Sequence, residues 1–129
     1  MEDLRQTTNL SEEVISIFVI CEHKMFGHGL EYLLRQQLGN FKVLGHEHNF
    51  DKAVTQLQQL QPDIVILYSH NPLAAGARLA TQLLEWQPTL HLISISFDDN
   101  RLYTHQFTRQ EVEGVDDLLA VIRKNSNRA

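Results

Sequence analysis

Ile64-Val65-Ile66-Leu67 is entered through Pro62-Asp63 and left through a polar turn, Ser69-His70-Asn71, closed by Pro72. Consecutive aliphatic residues between turn formers are the pattern of a strand buried on both faces. A strand of that kind belongs at the centre of a parallel sheet. In such a sheet, binding and catalysis sit in the crevice beyond the carboxyl ends of the strands. Tyr68 stands at that end, so its chemistry bears directly on what the chain can do.

The segments on either side repeat one alternation. Val14 to Cys21 is rich in β-branched and aromatic residues and reads as a first buried strand, after a polar, acidic segment over 1–13 that reads as a flexible tail. Phe26, Leu30, Leu33 or Leu34, and Leu38 recur at helical spacing, and Gly39-Asn40 is a helix stop. Phe41 to His46 reads as a weaker strand near an edge. Asn49 is placed to cap a helix whose apolar stripe is Phe50, Ala53, Val54, Leu57 and Leu60. A third helix over 73–86 carries small residues, Ala74 to Ala77 and Ala80, suited to close packing on a sheet. Pro88 separates it from a fourth strand, Leu90 to Phe97. Strand and helix alternating three times, then a strand, is the order of a doubly wound α/β sheet.

The alternation then breaks. Asp98-Asp99-Asn100 is a turn signal, and the next segment has a period of two, with Tyr103, His105 and Phe107 on one face and Leu102 on the other. The expectation is a return strand on the sheet edge in place of a helix. Val115, Leu118, Leu119 and Ile122 then form the stripe of a last amphipathic helix. Residues 14–124 make one domain, and 125–129 are a basic tail or the start of a linker.

The 129 residues suffice for one core, and 43% hydrophobic with 21% charged residues is ordinary for a soluble globular chain. A net charge of -5 argues against direct contact with nucleic acid by this domain. One cysteine excludes an internal disulfide. No apolar run is long enough to span a membrane, and the first residues lack the order of a signal peptide, so the expected compartment is the cytoplasm.

ICEHKMFGHGLEYLL, VLGHEHNFDKAVTQLQQLQPDIVILYSHNPLAAG and VDDLLAVIRK together resemble the receiver domain of two-component response regulators, in the LuxR/FixJ-type branch. The resemblance implies a flavodoxin-like, CheY-like sheet of order 2-1-3-4-5, here with the helix between the fourth and fifth strands lost and the last strand an antiparallel edge. It also implies phosphoryl transfer to an aspartate, with two acids holding magnesium, a hydroxyl on the fourth strand and a lysine on the fifth. Carried onto this chain, the acceptor position holds Tyr68 and the acidic pair is Cys21 and Glu22, with Ser96 keeping the hydroxyl. No lysine lies between Lys52 and Lys124. A thiol is a soft ligand and a poor partner for magnesium. A neutral phenol titrating near about 10 is a weak nucleophile without a base and a metal. The chain therefore reads as a degenerate pseudo-receiver, not an enzyme and without a cofactor. Tyr68 is expected to fill the former acidic pocket near Cys21 and Ser96, with its hydroxyl hydrogen-bonded.

Seven histidines raise a metal site, but His46 and His48 with scattered His23 and His28 do not supply the four N or S ligands of structural zinc. They read as polar residues of the sheet rim. Gly27-His28-Gly29 lacks the lysine and spacing of a phosphate loop. Gly29 is expected to let the first helix approach the sheet. Leu102, Tyr103, His105 and Phe107 are the candidate interaction surface, because an edge strand can pair with another chain. The expected function is a phosphorylation-independent interaction module in signalling or transcription regulation, with a protein partner or a second copy in a homodimer. The alternative is a metabolite sensor binding at the strand ends. Whether a DNA-binding domain follows on a longer chain stays open.

Overall fold

A computed structural model describes residues 14–37 and 40–126. Five strands form one sheet of order β2-β1-β3-β4-β5, from β1 (Ile15–Cys21), β2 (Phe41–Glu47), β3 (Ile64–Ser69), β4 (Thr89–Ser96) and β5 (Leu102–Thr108). The helices are α1 (Lys24–Arg35), α2 (Phe50–Leu60), α3 (Pro72–Leu83) and α4 (Val115–Ser126). β1, β2, β3 and β4 are mutually parallel, and β5 runs antiparallel to β4. The doubly wound sheet, the missing fourth crossover helix and the antiparallel edge all match the sequence reading. The helix stop at Gly39, and the tails over 1–13 and 127–129, lie outside the described residues.

Alternation along each strand divides the core in two. Phe18, Ile20, Val65, Leu67, Leu90 and Leu92 pack against Ala53, Val54 and Leu57 of α2 and Leu79, Ala80 and Leu83 of α3. Ile17, Val19, Cys21 and Ile66 form a smaller cluster on the opposite face, joined by Leu30 and Leu34 of α1. The first face is closed by two helices. Among the described residues the second has only α1, and Ile64, Ile93 and Ile95 stay partly open there. The stripe of α4 forms as a helix but buries none of its residues.

Local signals explain the element ends. The Asn49 side chain accepts a hydrogen bond from the Lys52 N–H, the capping role expected of it. Gln61 closes α2 in the left-handed conformation at φ 47°, and Pro62 follows. Asp63 does more than turn the chain: its carboxylate accepts from the Ser16 N–H at 2.8 Å and from the Ser16 hydroxyl at 3.0 Å. The Asp63 N–H donates back to the Ser16 hydroxyl at 2.9 Å, fixing the relative register of β1 and β3. Gly76 is required by packing, since a Cβ there would sit 2.9 Å from a Leu92 methyl. Gly29 is not: nothing lies within 4 Å of a Cβ at that position. The close approach of α1 is made by Gly27, whose added Cβ would meet His46 at 3.3 Å and Cys21 at 3.4 Å.

Candidate functional site

The carboxyl ends of β1, β3 and β4 lie side by side, with Cys21 opposite Tyr68 and Tyr68 opposite Ile95. Strand alternation sends Tyr68 and Ser69 to opposite faces. Tyr68 goes to the α1 side, half-buried, and its ring meets Phe26 of α1 at 4.3 Å and Phe97 at 4.2 Å between centroids. Phe97 is the hub. It also carries His23 at 4.3 Å and His70 at 4.8 Å, and His70 Nδ1 lies 3.4 Å from a carboxylate oxygen of Asp98. Tilted and edge-on rings at these separations add favourable quadrupole contacts to the burial of apolar area. The strand ends are thus filled by rings drawn from three separate segments.

Two details depart from the sequence reading of Tyr68. Its ring lies among Phe26 and Phe97, while Ser96 is on the opposite face, paired in the ladder with Ser69. Among the described residues the Tyr68 hydroxyl has no hydrogen-bond partner. Phe97, Phe26, His23 and His70 were not legible as parts of one site. Phe26 carries a core-stripe signal and Phe97 a strand signal, and neither pattern encodes their meeting.

The remaining polar groups are engaged in local structure. Cys21 is buried, and its thiol donates to the His23 carbonyl at 3.3 Å. Burial pushes that thiol up from its ordinary 9.0, with a smaller push from Glu22, against the opposing effect of the His23 backbone bond. It therefore stays protonated at neutral pH, whereas the thiolate is the form that attacks or binds metal. Glu22 is exposed and, among the described residues, accepts only a long 3.5 Å contact from the Ser69 hydroxyl. The Ser69 and Ser96 hydroxyls accept from the Asn71 and Asp98 N–H groups, each at 3.1 Å, and so close the two turns. β5 begins beside this edge instead of ending there, so it brings its amino end and not a carboxyl end to the cluster.

A magnesium ion wants several hard oxygens in near-octahedral array. One exposed carboxylate, a protonated buried thiol and a phenol packed between phenylalanines do not fit it. Among the described residues no group of three His, Cys, Asp or Glu side chains is arranged to hold a metal ion.

The histidines expected on the rim divide. His48 is exposed, 3.6 Å from Glu47. His46 is not a rim residue: it is half-buried, with Nδ1 against the Glu31 carboxylate and its ring edge-on to His28. Burial alone would raise the Glu31 carboxyl, but hydrogen bonds from Arg35 and His46 outweigh it and hold the group below its usual range. This knot joins α1 to β2 and is structural.

Tyr103, His105 and Phe107 share one face, as expected, with centroids 6.4 Å and 5.6 Å apart along the ladder. They are half-buried, and Phe107 packs against the larger core. Leu102 lies on the other face, exposed. β5 is an edge strand with one side unpaired.

No protein-family model matches the chain. It is similar to the transcriptional regulatory protein DegU of Brevibacillus brevis, 24% identical over 97 residues, a match covering 74% of this chain and 41% of that protein. The chain thus spans about two-fifths of the curated relative it matches. Among solved structures it resembles the response regulator domain of Thermotoga maritima CheB, with a TM-score of 0.56 and 18% identity over 85% of this chain and 72% of that one. No described helix is long and apolar enough to cross a membrane. The domain is receiver-like in fold and strand order.

Proposed function

We propose that this receiver-like domain is a pseudo-receiver: a signalling or transcription-regulatory interaction module that works without phosphoryl transfer and is not an enzyme. The observation that carries the reading is the packing of the Tyr68 ring between Phe26 and Phe97 where the family's acceptor carboxylate would stand. Further support comes from the thiol at Cys21 and from the reversed direction of β5. In a working receiver, phosphorylation biases a two-state arrangement of loops and helices. Aromatic packing at the strand ends favours a single arrangement. The same rings occupy the space a metabolite would need beside Cys21 and Tyr68, which counts against the sensor reading. The relative is a transcriptional regulatory protein, which supports a regulatory output, in this reading in the cytoplasm.

The partner in this reading is a protein, including a second copy of the chain, and the surface is the β5 side of the molecule. An unpaired edge offers backbone donors and acceptors, and Leu102 adds an exposed apolar side chain. A C2 pair is the commonest such assembly. Phe107 is committed to the core, so the surface is tested at exposed positions. Light scattering of the wild type should give a dimer, and Leu102→Lys/Gln106→Lys should shift it to the monomer mass. A dimer unchanged by those two lysines rejects the β5 edge as the joint.

A further inference from the structure

β5 closes the sheet on one side and β2 closes it on the other, and the two edges are built differently. β2 carries Lys42 and skips Leu44 in its pairing with β1. An edge charge and a bulge are both devices that turn away a further strand. β5 has neither. From Leu102 to Thr108 it contains no Lys, Arg, Asp, Glu, Pro or Gly, and its pairing with β4 runs without a break. Among the described residues, α4 follows it in the chain and makes no hydrogen bond to it.

The direction of its free backbone groups follows from the ladder. In an antiparallel pair, opposed residues alternate between those that exchange hydrogen bonds and those that do not. The Ser96 N–H donates to the Arg101 carbonyl at 2.9 Å, and the Arg109 N–H donates to the Pro88 carbonyl at 2.7 Å. Counting inward from either end gives the same phase. Tyr103, His105 and Phe107 bond to β4, while Leu102, Thr104, Gln106 and Thr108 turn their N–H and C=O groups to the open side. Those four positions are symmetric about His105. The side chains are too: a ring lies two residues away on either side, and an uncharged hydrogen-bonding group lies one residue away on either side.

Building on the interaction-module reading, we infer that two copies of this chain pair antiparallel through β5, on a two-fold axis beside His105. A strand that matches its own reverse is what an isologous joint requires. Outward-facing residues must oppose outward-facing residues, so the axis falls at a residue and not between two. With the centre at His105, Leu102 opposes the second copy's Thr108 and Thr104 opposes its Gln106. Every free N–H and C=O of the four positions is then used. A centre at Thr104 or Gln106 leaves one of the four unpaired on each copy. In the His105 register Tyr103 also faces the second copy's Phe107, and aromatic pairs across strands are favourable. Arg101 and Arg109 lie beyond the strand and are engaged within their own copy, Arg101 with Asp99 at 3.4 Å and Arg109 with the Leu84 and Glu85 carbonyls.

Three single-cysteine variants of the full chain read the axis. The wild type is the control, because its one cysteine, Cys21, is buried. At the axis a residue meets its own counterpart at about 4.5 Å between Cα atoms, within reach of a disulfide. One position off the axis, counterparts stand about 8 Å apart and are out of reach. After mild oxidation with oxidised glutathione, His105→Cys should run mostly at twice the chain mass on a denaturing gel without reductant. Thr104→Cys and Gln106→Cys should run at the chain mass. Circular dichroism of each should match the wild type. If replacing the half-buried His105 unsettles the fold, amide exchange of the wild type carries the test. Raising its concentration through the dimerisation range should slow the N–H groups of Leu102, Thr104, Gln106 and Thr108 about tenfold or more, and unchanged rates there overturn the pairing. A cross-link at Thr104→Cys or Gln106→Cys in place of His105→Cys overturns the axis and leaves the edge reading standing. So does a dimer that Leu102→Lys/Gln106→Lys breaks but none of the three cysteines cross-links. A wild type at the chain mass by light scattering, the result a foreign strand on β5 would give, overturns both the axis and the dimer.

Discussion

Tyr68→Asp, which places a carboxylate where the acceptor of the receiver family would stand, should destabilise the domain by about 3 kcal/mol at neutral pH without enabling phosphoryl transfer. Losing a fully buried aromatic ring costs about 3–5 kcal/mol, and partial exposure of Tyr68 reduces that share. The new carboxylate must then lose hydration beside Phe26 and Phe97, which penalises its charged form. Its pKa in the folded state is therefore raised above the about 3.9 of an unfolded aspartate. In the interval between the two values the folded state holds more protons than the unfolded one, so stability falls as pH rises. The variant should lie nearest the wild type below about pH 4 and fall progressively behind it above that. Urea midpoints at acidic and neutral pH read both effects. A variant as stable as the wild type at neutral pH would mean that the strand-end cluster is not a packed unit.

Phe18→Ala should have a larger effect, about 3–5 kcal/mol. Phe18 is buried in the larger cluster, and β1 shifts register between Ile17 and Phe18, where Leu44 is skipped against β2. The Phe18 ring lies 3.6 Å from where a Cβ on Gly45 would stand, so it covers the irregularity as well as filling the core. For a domain with about 5–15 kcal/mol in total, this removes about a fifth or more of the stability. Met25→Ala, at a highly exposed position, should change the monomer by no more than about 0.5 kcal/mol. Comparable losses at the two sites in chemical denaturation would contradict the assignment of the core.

What the sequence discloses about this molecule is mostly periodic. The apolar run at Ile64 to Leu67 marks the central strand because burial on both faces leaves no alternation to read. The change to a period of two at Leu102 announces β5 and the loss of a crossover helix, and the structure has both. That Cys21 and Tyr68 stand where the resemblance implies acids is visible residue by residue. Contacts between distant segments are not periodic and leave no such trace. Asp63 reads as a turn former, yet it ties β3 to Ser16. Phe97 reads as the end of a strand, yet four rings meet it. The choice between Gly27 and Gly29 shows the limit within one helix. Two residues span about 200° around the axis, so the two glycines face opposite ways, and only one meets the sheet. The stripe of α4 is correct as a helix signal, but a stripe shows that a face is apolar and not what covers it.

The proposal that this domain works without phosphoryl transfer is tested most directly by intact mass. The wild-type chain is incubated with a small-molecule phosphodonor and magnesium, then measured beside an untreated sample. An unchanged mass is the predicted result, because Tyr68 is held among rings and the residues beside it do not fit the magnesium ion that would activate an acceptor. A gain of one phosphoryl group on this chain, removed by hydroxylamine as an acyl phosphate would be, contradicts the account and returns the domain to the working receivers.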